Sequence, residues 1–248
     1  MFQKTLLLFI SILSFAFAKA QGGQYYQEIG IMSGPVFFQG DFGESGSSDN
    51  ITKNVGASGS FVYYVALNNN NGGLERNLKV RFDVTLMSVT LNHYGKYAES
   101  SSVFGDKLRA MQSDVKVSNV GFQLEYYPFE LDDYGGGNLT PYIAPGFQIN
   151  SYSANATSTL GSIGNSNTVP AKYVDGFKDS SGIAFSMTGA LGVRYKLSQS
   201  GAVVLEGQFK YYFSDWIEGM NPDPKIYKEN KNNDFSGTLQ IGYIYYLD

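Results

Sequence analysis

The chain has 248 residues, of which 15% are aromatic and only 16% charged, with 29 glycines, no cysteine and a formal net charge of −4. An acidic balance argues against nucleic-acid binding, which wants a basic face. Without cysteine there are no disulfides, no thiol chemistry and no cysteine–zinc site, so an exported fold must be held by backbone pairing and packing.

Residues 1–20 read as a secretory signal peptide. Lys4 supplies a positive charge, Leu6 to Ala18 is an apolar run, and Ala18-Lys19-Ala20 places small residues around a cleavage point before Gln21. The run falls short of the ~20 residues that a spanning helix needs. Cleavage removes Lys4 and Lys19 and leaves 16 basic against 22 acidic residues, a formal charge of −6. Residues 21–248 form one domain.

Eight stretches of that domain alternate with a period of two, the signature of strands whose successive side chains point to opposite faces. They fall near 27–39, 54–67, 76–92, 115–129, 139–152, 182–197, 202–214 and 234–247. The first is interrupted by Gly34-Pro35, a candidate bulge or edge. In the third, Leu78, Val80, Phe82, Val84 and Leu86 oppose Lys79, Arg81, Asp83 and Thr85. The sixth sets Ile183, Phe185, Met187, Leu191 and Val193 against Ser186, Thr188, Arg194 and Lys196. The seventh sets Val203, Leu205, Phe209 and Tyr211 against Glu206, Gln208 and Lys210. In the eighth, Leu239, Ile241, Tyr243 and Tyr245 oppose Ser236, Thr238 and Gln240.

Connections alternate in length. Asn68–Gly73, Asp132–Asn138 and Gln199–Gly201 are compact turns of residues that tolerate positive φ. The connections near 40–53, 93–114, 153–181 and 215–233 are long and polar. Short turns at one end and long loops at the other are the asymmetry of outer-membrane barrels. A soluble sandwich or lipocalin-like barrel also alternates, but its greasy faces point inward and carry polar residues outside. Here the continuous apolar faces oppose faces that carry charge. The expected fold is therefore all-β: an eight-stranded antiparallel up-and-down transmembrane β-barrel, with both termini and the short turns periplasmic. The three-residue connection at 199–201 pairs Ser198 with Ala202, which sets Arg194 opposite Glu206.

Aromatic residues gather where strands should leave the hydrocarbon. Tyr25, Tyr26, Tyr126, Tyr127, Phe129, Tyr142, Tyr195, Tyr245 and Tyr246 fall at the turn end. Phe37, Phe38, Tyr94, Tyr152, Phe213 and Trp216 fall at the loop end.

Four constellations could carry chemistry. The single histidine, His93, begins the second loop with Ser100–Ser102 behind it, and reads as a solvated loop histidine rather than a catalytic one. Lys79, Arg81, Asp83, Glu125, Arg194, Lys196, Glu206 and Lys210 should point into the lumen, as a filled core of paired charges rather than a pore lining. Phe104, Leu108 and Met111 have helical spacing after a Ser101 or Ser102 cap, a short amphipathic helix over the barrel mouth or a docking ridge. Asp41, Glu44 and Asp49 make the first loop acidic, but their spacing matches no dedicated calcium loop. No catalytic, cofactor-binding or metal-ligating set emerges.

Several segments together carry a family resemblance: Gln27–Ile31 with Phe38–Asp41, Leu91–Lys96, Leu108–Met111, Leu124–Pro128, Gly192–Leu197, Tyr211–Trp216 and Ile241–Leu247. Across most of the mature length the chain resembles a family of outer-membrane barrel proteins of Flavobacterium-like bacteria. Members of that family sometimes carry a glutamate dehydrogenase label, which does not fit a chain with no βαβ alternation and no Gly-rich strand-to-helix turn. In its first strand only, Glu28-Ile29-Gly30 and Gly40-Asp41 look like PorG-type barrels of the type IX secretion apparatus. The expected function is thus a non-enzymatic, monomeric outer-membrane barrel of a Gram-negative bacterium, structural or docking in role. It would contact the lipid bilayer and a periplasmic or surface protein partner, and no nucleic acid or cofactor. The alternatives are a PorG-like secretion component, an outer-leaflet lipid-modifying enzyme and a small-solute channel.

Overall fold

A computed structural model describes residues 27–43, 48–66, 77–129, 139–227 and 233–247. The expected signal peptide, Tyr25, Tyr26, Glu44 and the turn segments 68–73 and 132–138 lie outside the described residues.

The eight strands are β1 Gln27–Gln39, β2 Val55–Ala66, β3 Leu78–Asn92, β4 Met111–Tyr126, β5 Leu139–Ser158, β6 Ser180–Ser198, β7 Gly201–Tyr212 and β8 Phe235–Leu247. Each pairs antiparallel with its sequence neighbours, and β1 pairs with β8 to close the barrel. Closure leaves no edge strand, so the ladder hydrogen bonds find their partners inside the sheet. Gly34-Pro35 does not shift the register of β1. The chain pairs with β2 straight through both residues, and β8 skips only those two, because proline has no N–H to donate. Two short helices lie in the loops: α1, Ser48–Lys53, and α2, Val103–Ala110.

Around the middle of the barrel the outward positions are apolar and exposed: Ile31, Phe61, Phe82, Leu86, Phe122, Phe147, Phe185, Leu205 and Ile241 among them. On β5 this face runs from Leu139 to Ile149. At the usual strand tilt of about 45° that climbs roughly 25 Å, the height of a hydrocarbon band.

On β3–β5, which rise beyond this belt, the polarity of the wall inverts. On β3 the outward residues become Ser88 and Thr90, while Met87, Val89 and Leu91 turn inward and are buried. On β4, Ser118, Lys116 and Asp114 face out, and Val117, Val115 and Met111 face in. On β5, Ser151, Ser153, Asn155 and Thr157 are exposed, with Ala154 and Ala156 buried behind them. These buried side chains join Val36, Phe38, Phe42, Leu108, Phe177, Ile217 and Met220 in one apolar cluster that caps the loop end. The barrel is thus built in two storeys: a lower one greasy outside and charged inside, and an upper one arranged like a water-soluble protein.

The aromatic residues divide accordingly. Phe129, Tyr195, Tyr245 and Phe213 are exposed on the outer surface. Tyr127 and Tyr142 at the turn end, and Phe38 at the loop end, instead point inward and are buried: Tyr142 and Phe38 occupy the inward phase of their strands, and Tyr127 continues that of β4 just past its end.

Candidate functional site

The lower storey of the lumen holds a closed network of charges. Arg81 on β3 reaches Glu125 of β4 at 2.9 Å and grips Glu206 of β7 with two nitrogens, at 2.5 and 3.1 Å. Arg194 on β6 pairs with Glu28 of β1 and lies 3.5 Å from Glu125, and Lys79 also pairs with Glu28. Three cations therefore meet three carboxylates from five strands. Tyrosines complete the shell. Tyr127 donates its hydroxyl hydrogen to Glu125 at 2.5 Å and Tyr142 to Glu206 at 2.6 Å, while the Arg194 guanidinium lies 4.9 Å from the Tyr64 ring centroid.

All of these groups are nearly or wholly buried. Ionised groups so deep in a protein survive only when paired and hydrogen-bonded, and the inward phase of alternating strands supplies both conditions here. Above the network Asp83 accepts hydrogen bonds from Gln148 at 2.7 Å and Gln123 at 3.3 Å. Ser60, Thr85, Gln240 and Ser58 form a further hydrogen-bonded tier. Lys210 is buried beside these groups, and its ammonium has no hydrogen-bond partner among the described residues.

Of the eight charges assigned to the lumen, Lys79, Arg81, Asp83, Glu125, Arg194, Glu206 and Lys210 are buried inside it. Lys196 is half-buried, with its ammonium 5.9 Å from the Tyr246 ring centroid. Arg194 and Glu206 share the inner face but are not direct partners. Lys196, not Ser198, pairs with Ala202, and an irregularity between Lys196 and Ser198 leaves Arg194 opposite Val204 and Glu206 opposite Gly192. Glu28, the carboxylate that joins Lys79 to Arg194, is not among the sequence candidates. Its signal is the phase of β1, where Glu28 sits between Gln27 and Ile29 on the face opposite Ile31.

At the loop end the three residues of the helical ridge separate. Ser102 caps α2, its hydroxyl accepting from the Gly105 N–H at 3.1 Å. Leu108 and Met111 are 5% and 0% exposed and belong to the capping cluster, whereas Phe104 is 45% exposed. The amphipathic face of α2 turns down into the upper-storey core, so the three do not form one surface ridge. What α2 and its approach leave exposed is Tyr97, Val103 and Phe104.

His93 is not a solvated loop residue. It is 5% exposed and stacked on Phe42 at 4.7 Å between ring centroids, and its Nδ1 accepts the Gly43 N–H at 2.9 Å. Burial pushes its pKa down to about 3, so the imidazole is neutral. Asp49, on the solvent side of α1, is taken up by an ion pair with Lys53 at 2.8 Å. A shallow apolar groove, lined by residues including Tyr126, Pro141, Ile143, Leu191, Leu205 and Gly207, lies on the wall below the polarity switch.

Comparison with known proteins places this architecture. A family model described as a domain of unknown function, DUF6089, matches residues 3–240. The chain belongs to the DUF6089 family. No curated protein matches it. Among solved structures, a major outer membrane protein from Thermus thermophilus is similar over 91% of this chain and 100% of its own, at 14% identity and a TM-score of 0.51. Neisserial surface protein A (NspA) is similar over 90% and 97%, with 15% identity and a TM-score of 0.46. Ail of Yersinia pestis covers 91% and 100%, at 11% identity and a TM-score of 0.46. At these identities the likeness concerns the fold, and it is carried by the Thermus protein.

Proposed function

We propose that this DUF6089 protein is a non-enzymatic barrel of a Gram-negative outer membrane, a monomer with its turns and termini in the periplasm and its loops outside. One observation carries the reading: an apolar belt runs around the outside of a lumen filled by paired charges. In water that belt would expose many large apolar side chains at once, far beyond the scattered apolar residues of a soluble surface. Among the described residues side chains fill the lumen, as expected of an eight-strand barrel. The working surfaces are then the two ends. Exposed Tyr97, Val103 and Phe104 favour a docking role for the loop end, and the buried, stacked His93 favours a structural rather than catalytic one.

The test uses single cysteines in this cysteine-free chain, at Asn167 in the third loop and at Ser200 in the β6–β7 turn, both exposed. On intact cells an impermeant maleimide should label Asn167→Cys and leave Ser200→Cys unlabelled until the envelope is opened. The reverse pattern would invert the topology, and recovery of the protein in the soluble fraction would remove the membrane reading.

A further inference from the structure

Four carboxylates meet where the chain leaves β1, turns after β7 and enters β8. Glu218 and Asp234 are fully buried there, and half-buried Asp41 and Asp215 stand close enough for their charges to act on both. Each buried carboxylate has one oxygen anchored by backbone: Glu218 Oε1 accepts the Asp41 N–H, and Asp234 Oδ2 accepts the Ile217 N–H at 2.8 Å. The remaining oxygens, Glu218 Oε2 and Asp234 Oδ1, have no hydrogen-bond partner among the described residues. Both are aimed at the same spot. A Cβ built on Gly40 would collide with the two of them together, so glycine keeps that space open.

Two anchored carboxylates whose free oxygens converge out of water repel each other strongly unless positive charge lies between them. Burial and the neighbouring carboxylates accordingly push the pKa values of Glu218 and Asp234 well above the usual carboxylate range. The charge could be one shared proton or a cation. A cation accounts for more of the arrangement. One shared proton would satisfy the two converging oxygens alone, whereas half-buried Asp41 and Asp215 add negative charge that a single proton leaves unbalanced.

We propose that Glu218 and Asp234 hold a divalent cation of the Ca²⁺ class, pinning the β7–β8 loop to the ends of β1 and β8. Among the described residues no three Asp, Glu or His side chains already stand as a complete cage. The pair is therefore the core of the site, and backbone carbonyls or water complete the roughly six to eight oxygens that Ca²⁺ takes. Such a sparse set of protein ligands belongs with weak sites, with dissociation constants on the order of 10⁻⁴–10⁻³ M. The site needs no assumption about which side of a membrane it faces.

The single tryptophan, Trp216, lies between Asp215 and Glu218 in the sequence, which makes terbium luminescence a direct probe. Full-length protein folded in detergent and stripped with a chelator should give Trp-sensitised Tb³⁺ emission that saturates and is displaced by millimolar Ca²⁺. Glu218→Gln and Asp234→Asn should each weaken Tb³⁺ binding at least tenfold, while Asp49→Asn on α1 leaves it unchanged. If a variant fails to fold, as judged by its unboiled gel mobility, the wild type decides: Ca²⁺ should raise its unfolding temperature. Absence of sensitised emission, or emission that Ca²⁺ does not displace, would overturn the proposal. So would an unfolding temperature that rises on acidification but ignores Ca²⁺, the behaviour of a shared proton.

Discussion

Phe42 and Tyr173 close over His93, and Gly43 donates to its Nδ1, so the imidazole is held neutral in an apolar setting. Its folded pKa, about 3, lies below the ordinary value of 6.5. The unfolded chain therefore binds the proton more readily, and the stabilisation is complete above pH 6.5 and lost as pH falls from there toward 3. The slope can reach about 1.4 kcal/mol per pH unit. His93→Phe keeps the stacking but cannot titrate. The difference in urea stability between wild type and variant, measured in detergent from pH 7.5 to 4.5, should change in that sense, and a difference that stays constant would mean the imidazole is hydrated after all. In the sequence this histidine reads as solvated, because a strand end ahead of a serine-rich loop gives no sign of the rings that cover it. Other residues are legible only through their strand's phase. Arg81, Glu125 and Glu206 follow from alternation, but their partners do not, since pairing across the lumen depends on closure and register. Sequence puts Tyr127 and Tyr142 in an aromatic girdle because aromatic content at a strand end does not reveal which face it is on.

Among the elements, the strands are legible to within a residue or two at most ends, and the closed up-and-down order follows from the turn chemistry. The upper storey is not legible. Periodicity ends the fifth strand at 152, well short of its true end at Ser158. Ser153, Ala154, Asn155 and Ala156 alternate with little contrast in hydrophobicity, and alanine buries too little apolar area to mark a face. β4 begins at Met111, before the expected 115, a start that the helical spacing of Leu108 and Met111 masks in the sequence. The polarity switch makes a prediction for β5. Ile143→Lys places a charge near the middle of the belt and should cost about 2–4 kcal/mol. Thr157→Lys, on the same outward face above the switch, should stay within about 0.5 kcal/mol of wild type, as exposed substitutions do. Unfolding titrations in lipid vesicles compare the two, and equal costs would extend the hydrocarbon band to the strand tips.

The whole molecule is a filled cylinder. Lys79, Arg81 and Arg194 pair with Glu28, Glu125 and Glu206 across the lower lumen, and the upper lumen is filled by Met87, Val89, Leu91, Phe38 and Phe42. The purified barrel should give no long-lived current steps in a planar bilayer. Arg81→Ala would leave Glu125 and Glu206 without their shared cation, a change that typically costs about 3–5 kcal/mol, yet the apolar cap above should still block flow. Steady conductance from the wild type, altered by Arg81→Ala, would restore the channel reading.

Two-storey construction also imposes an order on assembly. A barrel that enters a bilayer from the side of its short turns must carry Asp114, Lys116, Asn155 and their polar neighbours through hydrocarbon before the upper cluster can close. The same tips that make the finished protein comfortable in water are thus its toll during insertion. In a barrel inserted that way they would act as a ratchet: drawing it back would mean dismantling a packed core and dragging its hydrated shell through oil.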